Sequence, residues 1–142
     1  MARTYRLGPA RKLVNTVVTA LLNLGIGARS TYLLTTTGAR SGLPRTTPVV
    51  LVEDSSGRWL VSPYGEVAWV HNVRTTPQVT LRRGRTTLTV AAHELDAQTA
   101  GPVLRRYLRQ AGVVAPFFDA KAESPISDFV AEAAQHPVFA LA

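Results

Sequence analysis

The 142-residue chain contains no cysteine, and this absence excludes several chemistries together. Without a thiol the protein has no disulfide, no thiolate nucleophile and no thiolate-ligated metal. Such a composition suits a reducing compartment, so we expect a cytoplasmic location. Histidine is also scarce, and His71, His93 and His136 lack the i, i+4 spacing that puts two imidazoles on one helical face. The sequence therefore predicts no metal site.

Motifs of three large enzyme classes are missing as well. No G-x-S-x-G elbow occurs and Ser41 has no neighbouring base, so acyl transfer has little support. The segment GARSGLPR at 38–45 lacks the lysine of a phosphate-binding P-loop. Neither G-x-G-x-x-G nor strand–helix alternation appears, which argues against a Rossmann fold. A protein without these groups can still be an enzyme if a bound cofactor carries the chemistry, and this is our hypothesis.

Lysine is rare, and nearly all the positive charge comes from arginine. The chain has 16 basic and 9 acidic residues, and Lys12 and Lys121 are its only lysines. Residues 1–85 hold 12 basic and 3 acidic residues, whereas residues 86–142 hold 4 and 6. Arginine offers a planar fork for phosphate or carboxylate, so an anionic partner should meet the first part of the chain. Charge alone does not separate nucleic acid, a lipid surface and a small polyanion.

The segment RRGR at 82–85 is the strongest sequence argument for nucleic acid. No recognised reading motif accompanies it, and the aromatic residues form no stacking stripe. We therefore predict no specific nucleic-acid partner.

No apolar run is long enough to cross a membrane. Residues 13–24 are interrupted by asparagine and threonine at helical spacing, which predicts an amphipathic helix at about 9–28. The basic residues around this helix leave two alternatives open, a signal peptide and a helix that contacts an anionic membrane surface.

The rest of the chain predicts one α+β domain made mainly of antiparallel strands. Because β-branched residues lie there between turn signals such as DSSG, we expect strands at 31–37, 45–54, 58–63, 78–84 and 85–95. Helices are expected at 64–77, 97–111 and 124–134, and a closing strand at 136–142. Ser124 is a candidate cap for the last helix, with Pro125 at its first position. About six strands in hairpins favour a barrel at 31–95, followed by a helical segment at 97–142.

The candidate anion-binding groups lie on one bend, TTTGARSGLPRTTPVV at residues 35–50. Gly38 and Gly42 allow backbone amides to approach an anion closely. Ser41 adds a hydroxyl, and Arg40 and Arg45 add charge-assisted donors. This combination predicts a phosphate site, and the alternative is a solvated loop whose arginines only aid solubility. The apolar run that ends the bend, at 49–52, predicts burial on both faces of its strand.

A second group of candidate residues follows the third strand. SPYG at 62–65 predicts a tight turn, and Trp69 and Asn72 lie three residues apart on one side of a short helix. They would offer a planar ring a hydrogen-bonding edge and an aromatic wall, although Trp69 alone is more often a core residue. PFFD at 116–119 predicts a loop that carries an aromatic pair.

In these residues the sequence resembles the deazaflavin-dependent nitroreductase family. The resemblance rests on LLTTTGARSGLPRTTPVV, on a strand that ends in SPYG and on AWVHNVRTTPQVTL, and it covers about Tyr32 to Leu95. The C-terminal segment SPISDFVAEAAQHPVFAL at 124–141 is similar to one branch of the family. It implies a split β-barrel related to flavin-binding oxidoreductases, with coenzyme F-420, a deazaflavin with a phosphate and an oligoglutamate tail, bound in a groove. Reduced F-420 would pass hydride to an electron-poor small molecule such as a quinone, an enone or a nitroaromatic.

The resemblance also implies roles for individual residues. The phosphate and tail would be held by Arg40, Ser41, Gly42 and Arg45. The ring would be lined or contacted by Thr46, Thr47, Pro48, Val49, Ser62, Tyr64, Gly65, Trp69 and Asn72. We further expect an acceptor-side wall at Phe117 and Phe118. The sequence assigns no proton donor; Tyr64, Tyr107 and Tyr32 are candidates, with structural roles as the alternative. The chain departs from the family's pattern at Ala39, where relatives often carry a basic residue, and at Val50 and Pro63, where some carry tyrosine and serine.

Two other functions stay open. An FMN-binding reductase of the same barrel type would need the same phosphate contacts and the same aromatic wall. A non-catalytic protein that binds a lipid surface would use the basic N-terminal helix. Related barrels often pair, so a homodimer is a further expectation.

Overall fold

The computed structural model describes residues 30–142, so the helix expected at 9–28 lies outside the described residues. The strands are β1 (Thr31–Thr37), β2 (Pro44–Asp54), β3 (Gly57–Val61), β4 (Gln78–Arg83), β5 (Thr86–Glu94) and β6 (Val138–Leu141). The α-helices are α1 (Ala68–Thr75), α2 (Ala97–Gln110) and α3 (Ile126–Glu132). Two 3-10 helices span Gly112–Phe117 and Ala133–Gln135.

The six strands form a closed barrel in the order β1-β2-β3-β6-β5-β4, and every neighbouring pair is antiparallel. The α+β barrel prediction is therefore confirmed. The β2–β3 turn forms where DSSG predicted it, because Asp54 Oδ1 accepts from the amides of Ser56 (2.7 Å) and Gly57 (3.2 Å). The C-terminal strand closes the barrel by pairing with β3 on one side and β5 on the other.

Strand β2 separates two hydrophobic cores. Val49 and Leu51 belong to the core inside the barrel, whereas Val50 and Val52 pack on the outside with α2. Side chains alternate between the faces of a strand, so a continuous apolar run fills both cores at once. The predicted burial of residues 49–52 on both faces is confirmed.

Two details of the C-terminal segment differ from the prediction. Ser124 does not cap α3, because Pro125 occupies the N-cap position and Ser124 Oγ accepts from the amide of Lys121 at 2.8 Å. The PFFD segment is not an open loop, since Phe117 ends a 3-10 helix and Phe118 is buried in the outer core. Burial of apolar side chains in the outer core stabilises this segment more than Pro116 disfavours regular structure.

The antiparallel order gives the barrel two distinct ends. The hairpin end carries the turns β2–β3 and β4–β5. The corner end carries the β1–β2 connection at residues 38–43, which we call the corner loop, and the β3–α1 connection. Helix α1 lies at this end and places Val70 and Val73 in the inner core. Both groups of candidate residues found in the sequence are therefore at the corner end.

Candidate functional site

The corner loop is ordered by its own backbone. The amide of Gly38 donates to Leu43 O (2.8 Å), and the amide of Gly42 donates to Gly38 O (2.9 Å). Ser41 Oγ accepts from the amide of Leu43 at 3.1 Å. Gly42 has φ of 70°, which favours glycine, and a Cβ on Gly38 would lie 2.5 Å from Ser41 Oγ. The two glycines are needed for the bend itself, before any ligand is considered.

Asn72 of α1 bridges the helix to the corner loop. Its Oδ1 accepts from the amide of Ala39 at 2.8 Å, and its Nδ2 donates to Thr36 Oγ1 at 3.1 Å. Asn72 and Thr36 are both buried, so these hydrogen bonds are shielded from water. The sequence predicted a cofactor contact for Asn72, but its amide group is engaged within the protein. We call this arrangement the Asn72 bridge.

The corner loop and the start of β2 together carry several hydrogen-bond donors that are not used within the described residues. Arg40 and Arg45 are exposed, and neither has a carboxylate partner among residues 30–142. The amides of Arg40 and Ser41 have no acceptor in this same part of the chain. Successive backbone amides at a bend attract anions, and guanidinium groups strengthen that attraction. The corner loop therefore has the donor chemistry of a phosphate or carboxylate site.

In the first half of β2, each face carries one threonine and one apolar residue. Thr46 is exposed and shares a hydrogen bond of 2.8 Å between its hydroxyl and that of Thr35. Pro48 faces the same outer side and is partly buried, whereas Thr47 and Val49 face the inner core side. Of these four predicted ring-lining residues, Thr46 and Pro48 are the two whose side chains face outward.

The turn at 62–65 is held by buried hydrogen bonds. Ser62 is fully buried, and its Oγ donates to Gly65 O at 2.5 Å. Gly65 has φ of 89°, and its carbonyl also accepts from the amide of Val67 at 3.0 Å. Ser62 therefore fixes the turn from inside, and its predicted contact with the coenzyme stays a prediction. Pro63, Tyr64 and Gly65 are the partly exposed residues of this turn.

Aromatic residues next to this turn divide between surface and core. Tyr64 and Phe117 are partly buried and meet edge to face, with ring centroids 4.9 Å apart. Phe118 is buried and stacks on the His136 ring at 3.8 Å. Trp69 is partly buried and packs on Phe139 at 5.8 Å, as a core residue would. The structure therefore brings Phe117, and not Phe118, to the exposed side of the turn.

The three tyrosines proposed as proton donors lie in different surroundings. Tyr107 is buried in the outer core, where desolvation and then the nearby Tyr64 raise the pKa of its phenol far above the usual range. Tyr32 lies toward the hairpin end, where its hydroxyl donates to Glu53 Oε2 at 3.0 Å. Tyr64 alone of the three lies in the turn at the corner end.

Two further observations concern metal ions and membranes. Within residues 30–142, no group of three histidine, aspartate or glutamate side chains could hold a metal ion. None of the helices in this range is long and apolar enough to cross a membrane.

Sequence reasoning missed three buried polar residues near the site: Thr36, Glu132 and His136. Thr36 lies on the inward face of β1 together with Leu34. The alternation of side chains along the strand could therefore have predicted that the Thr36 hydroxyl is buried. Glu132 and His136 are four residues apart, a spacing that places side chains together on a helical face. Their contacts with distant segments carried no signal in the sequence.

Comparison with known proteins places this geometry among cofactor-dependent reductases. The model of the F-420H(2)-dependent quinone reductase family matches residues 10–132. A solved F-420-H(2) dependent reductase is 26% identical with a TM-score of 0.58, and the match covers 81% of this chain and 96% of that one. No curated protein matches the chain.

Two more distant structures share the fold. A chain solved as a domain-swapped dimer is 22% identical with a TM-score of 0.60, and the match covers 94% of this chain and 100% of that one. A Listeria innocua protein described as a pyridoxamine 5'-phosphate oxidase is 13% identical with a TM-score of 0.56, and the match covers 92% of each chain.

Proposed function

The chain belongs to the F-420H(2)-dependent quinone reductase family and is an F-420-dependent oxidoreductase; from this premise we propose that the corner loop binds the phosphate and acidic tail of the coenzyme. We further propose that the deazaflavin ring lies along the outer side of β2 toward the turn at 62–65. When bound, coenzyme F-420 supplies the hydride. The protein's own residues hold the coenzyme, exclude water and orient the acceptor.

The observation that carries this proposal is the pair of free amides at Arg40 and Ser41, which the Asn72 bridge holds beside two unpaired arginines. Arg40 and Arg45 are exposed without a carboxylate partner in the described part of the chain. Two free amides at Arg40 and Ser41 complete the donor set. A phosphate followed by several carboxylates needs this kind of site, and the Asn72 bridge keeps the amides in place. The residues present therefore fit the coenzyme.

The outward residues of β2 and the turn suit the ring. Thr46 offers a hydroxyl and Pro48 an apolar surface, and both face the outer side of the barrel. Tyr64 and Gly65 border this region from the end of β3. An apolar wall with a few polar groups is the usual composition of a cofactor groove.

On the acceptor side we place Tyr64 and Phe117. Their edge-to-face pair forms a partly exposed aromatic surface that suits a planar quinone, with enones and nitroaromatics as other acceptor classes. A quinone that takes up a hydride also needs one proton to become a hydroquinone. Tyr64 Oη is our candidate donor, since it lies at the turn and Tyr107 is buried.

The test is oxidation of chemically reduced F-420 by the purified protein with a panel of quinones, enones and nitro compounds. We expect turnover with at least one acceptor, and binding of F-420 in preference to FMN. Tight FMN binding without F-420 binding would instead support the FMN reductase, and vesicle binding without turnover would support a lipid-surface protein. Cytoplasmic location, a membrane contact through residues 9–28 and a homodimer remain predictions, and light scattering checks the last.

A further inference from the structure

A buried glutamate–histidine pair connects the C-terminal segment to the turn at 62–65. Glu132 and His136 are 5% and 2% exposed. His136 Nε2 lies 3.3 Å from Glu132 Oε2, and His136 Nδ1 lies 3.0 Å from Pro63 O. Pro63 and His136 are 73 residues apart in sequence, so this contact exists only in the folded barrel. The proposed ring and acceptor contacts do not use either member of the pair.

The partner of His136 Nδ1 fixes one proton of the imidazole. A carbonyl oxygen can only accept, so His136 Nδ1 must carry a proton and donate it to Pro63 O. The Glu132 carboxylate already accepts from the amides of Asp119 (3.0 Å) and Ala120 (2.8 Å). The two amides and the His136 imidazole thus all contact Glu132, and His136 links Glu132 to the turn through its hydrogen bond with Pro63 O. A histidine held in this way has one orientation.

Packing against Phe118 also restricts the orientation of the imidazole plane. The Phe118 ring stacks on it with an angle of 14° between the planes, and Phe118 is itself buried. Rotation of the imidazole would therefore break the stacking and both hydrogen bonds together. Pro63 lies directly before Tyr64, whose ring forms the aromatic surface with Phe117.

We propose that His136, oriented by Glu132, is a positioning residue that sets the place of Tyr64 and Gly65 relative to the deazaflavin ring. This proposal rests on the proposed function, but it concerns the rate of hydride transfer and not the binding of the coenzyme's phosphate and acidic tail. A small displacement of a positioning group lowers the rate of the chemical step more than it lowers binding. Loss of the His136–Pro63 hydrogen bond should therefore lower kcat and leave the coenzyme's Kd nearly unchanged.

Two substitutions separate this role from simple core packing. In His136→Asn the amide nitrogen is bonded to Cγ, as Nδ1 is, so it can still donate to Pro63 O. In His136→Gln the amide nitrogen lies one bond further out, at the place of Nε2, so it can reach Glu132 but not Pro63. Both variants lose the aromatic stacking on Phe118. The exposed His93 of β5, changed to glutamine, is the matched control.

The experiment measures kcat with reduced F-420, the Kd of oxidised F-420, and amide hydrogen exchange of the ligand-free protein. We expect His136→Gln to lower kcat by about 10- to 100-fold, with Kd changed by no more than about twofold. His136→Asn should keep most of the activity, and His93→Gln all of it. Exchange at Val67, whose amide donates to Gly65 O, should rise in His136→Gln only.

Equal kcat and equal exchange in the two His136 variants would overturn the proposal. The exchange measurement also separates this inference from the proposed function. If wild-type protein neither binds nor oxidises the coenzyme, but exchange at Val67 still rises in His136→Gln alone, the pair positions the turn and the proposed function is wrong. If exchange at Val67 does not change, the positioning role is wrong whatever the activity.

Discussion

The protein has two arginine-bearing bends, and they differ in architecture more than in charge. The corner loop at the corner end carries Arg40 with Arg45 just beyond it, and the β4–β5 turn at the hairpin end carries Arg85 next to Arg82 and Arg83. Each bend contains a glycine with positive φ, 70° in the corner loop and 59° in the turn. Composition alone would rank the two bends as equal anion sites.

The two bends differ in length, in free backbone amides and in the hydrogen bonds that support them. The β4–β5 turn is closed by the pairing of Arg83 with Thr86, which leaves only two residues between the strands. The corner loop has six residues, two free amides and a buried bridge from Asn72. The β2–β3 turn, at the same end as the β4–β5 turn, differs in another way. Its neighbouring arginines form ion pairs, Arg106 with Asp54 at 2.9 Å and Arg58 with Glu53 at 3.3 Å. In our proposal a preorganised backbone, and not charge alone, distinguishes the coenzyme site from the other bend.

The largest expected difference between the two bends comes from removing two arginines from each of them. Changing Arg40 and Arg45 to alanine should raise the Kd of F-420 by about 100-fold, because each charge-assisted hydrogen bond contributes about 1.5 to 3 kcal/mol. Changing Arg82 and Arg85 to alanine removes equal charge and should change Kd by about twofold. Fluorescence titration at fixed ionic strength measures both. Equal losses in the two double variants would mean that only net charge matters.

The Asn72 bridge is the next feature to break. Asn72→Ala leaves the Ala39 amide and the Thr36 hydroxyl without their buried partner, so we expect a loss of about 2 kcal/mol in the free energy of unfolding. The coenzyme's Kd should rise as well, because the corner loop loses its support. Thr75→Ala on the same helix, which removes only an exposed hydrogen bond, is the control. Urea denaturation gives the stability, and an unchanged Kd in folded Asn72→Ala would contradict the account.

The positive-φ glycines of the two bends, Gly42 and Gly84, allow a matched test. Gly42→Ala and Gly84→Ala should each cost about 1 kcal/mol of stability, since each forces alanine into a left-handed conformation without a clash in the described structure. Only Gly42→Ala should weaken F-420 binding. Thermal unfolding and coenzyme titration of the pair supply both quantities, and weaker binding in Gly84→Ala would break the distinction.

The smallest expected effect concerns pH. Hydrogen bonds from Ser56, with a smaller contribution from Arg106, lower the pKa of Asp54 at the hairpin end. A lowered carboxyl pKa gives stability that is present above the unfolded-state pKa and is lost as the pH falls through the folded-state pKa, below about pH 4. Asp54→Asn should therefore flatten the acid end of the stability curve. The corner loop has no carboxylate, so Arg40→Ala should leave that curve unchanged when urea midpoints are compared.

Local patterns predicted the strands and the donor groups of the corner loop. Alternation and turn chemistry placed β1 at 31–37 without error, and the glycines, Ser41 and the arginines of the bend were readable as anion donors. The role of Asn72 was not predictable, because its partners lie 33 and 36 residues away and depend on how α1 packs. The same holds for Phe118, whose burial follows from the outer core and not from its own segment.

The most direct test of the central claim is an NMR titration of isotope-labelled protein with oxidised F-420 and, separately, with the deazaflavin that lacks the phosphate and tail. We expect the amides of Arg40 and Ser41 to show large shifts with the complete coenzyme and small ones with the tailless ring, while residues of the turn at 62–65 respond to both. Large shifts in the β4–β5 turn at Gly84 and Arg85, with Arg40 and Ser41 unmoved, would contradict it.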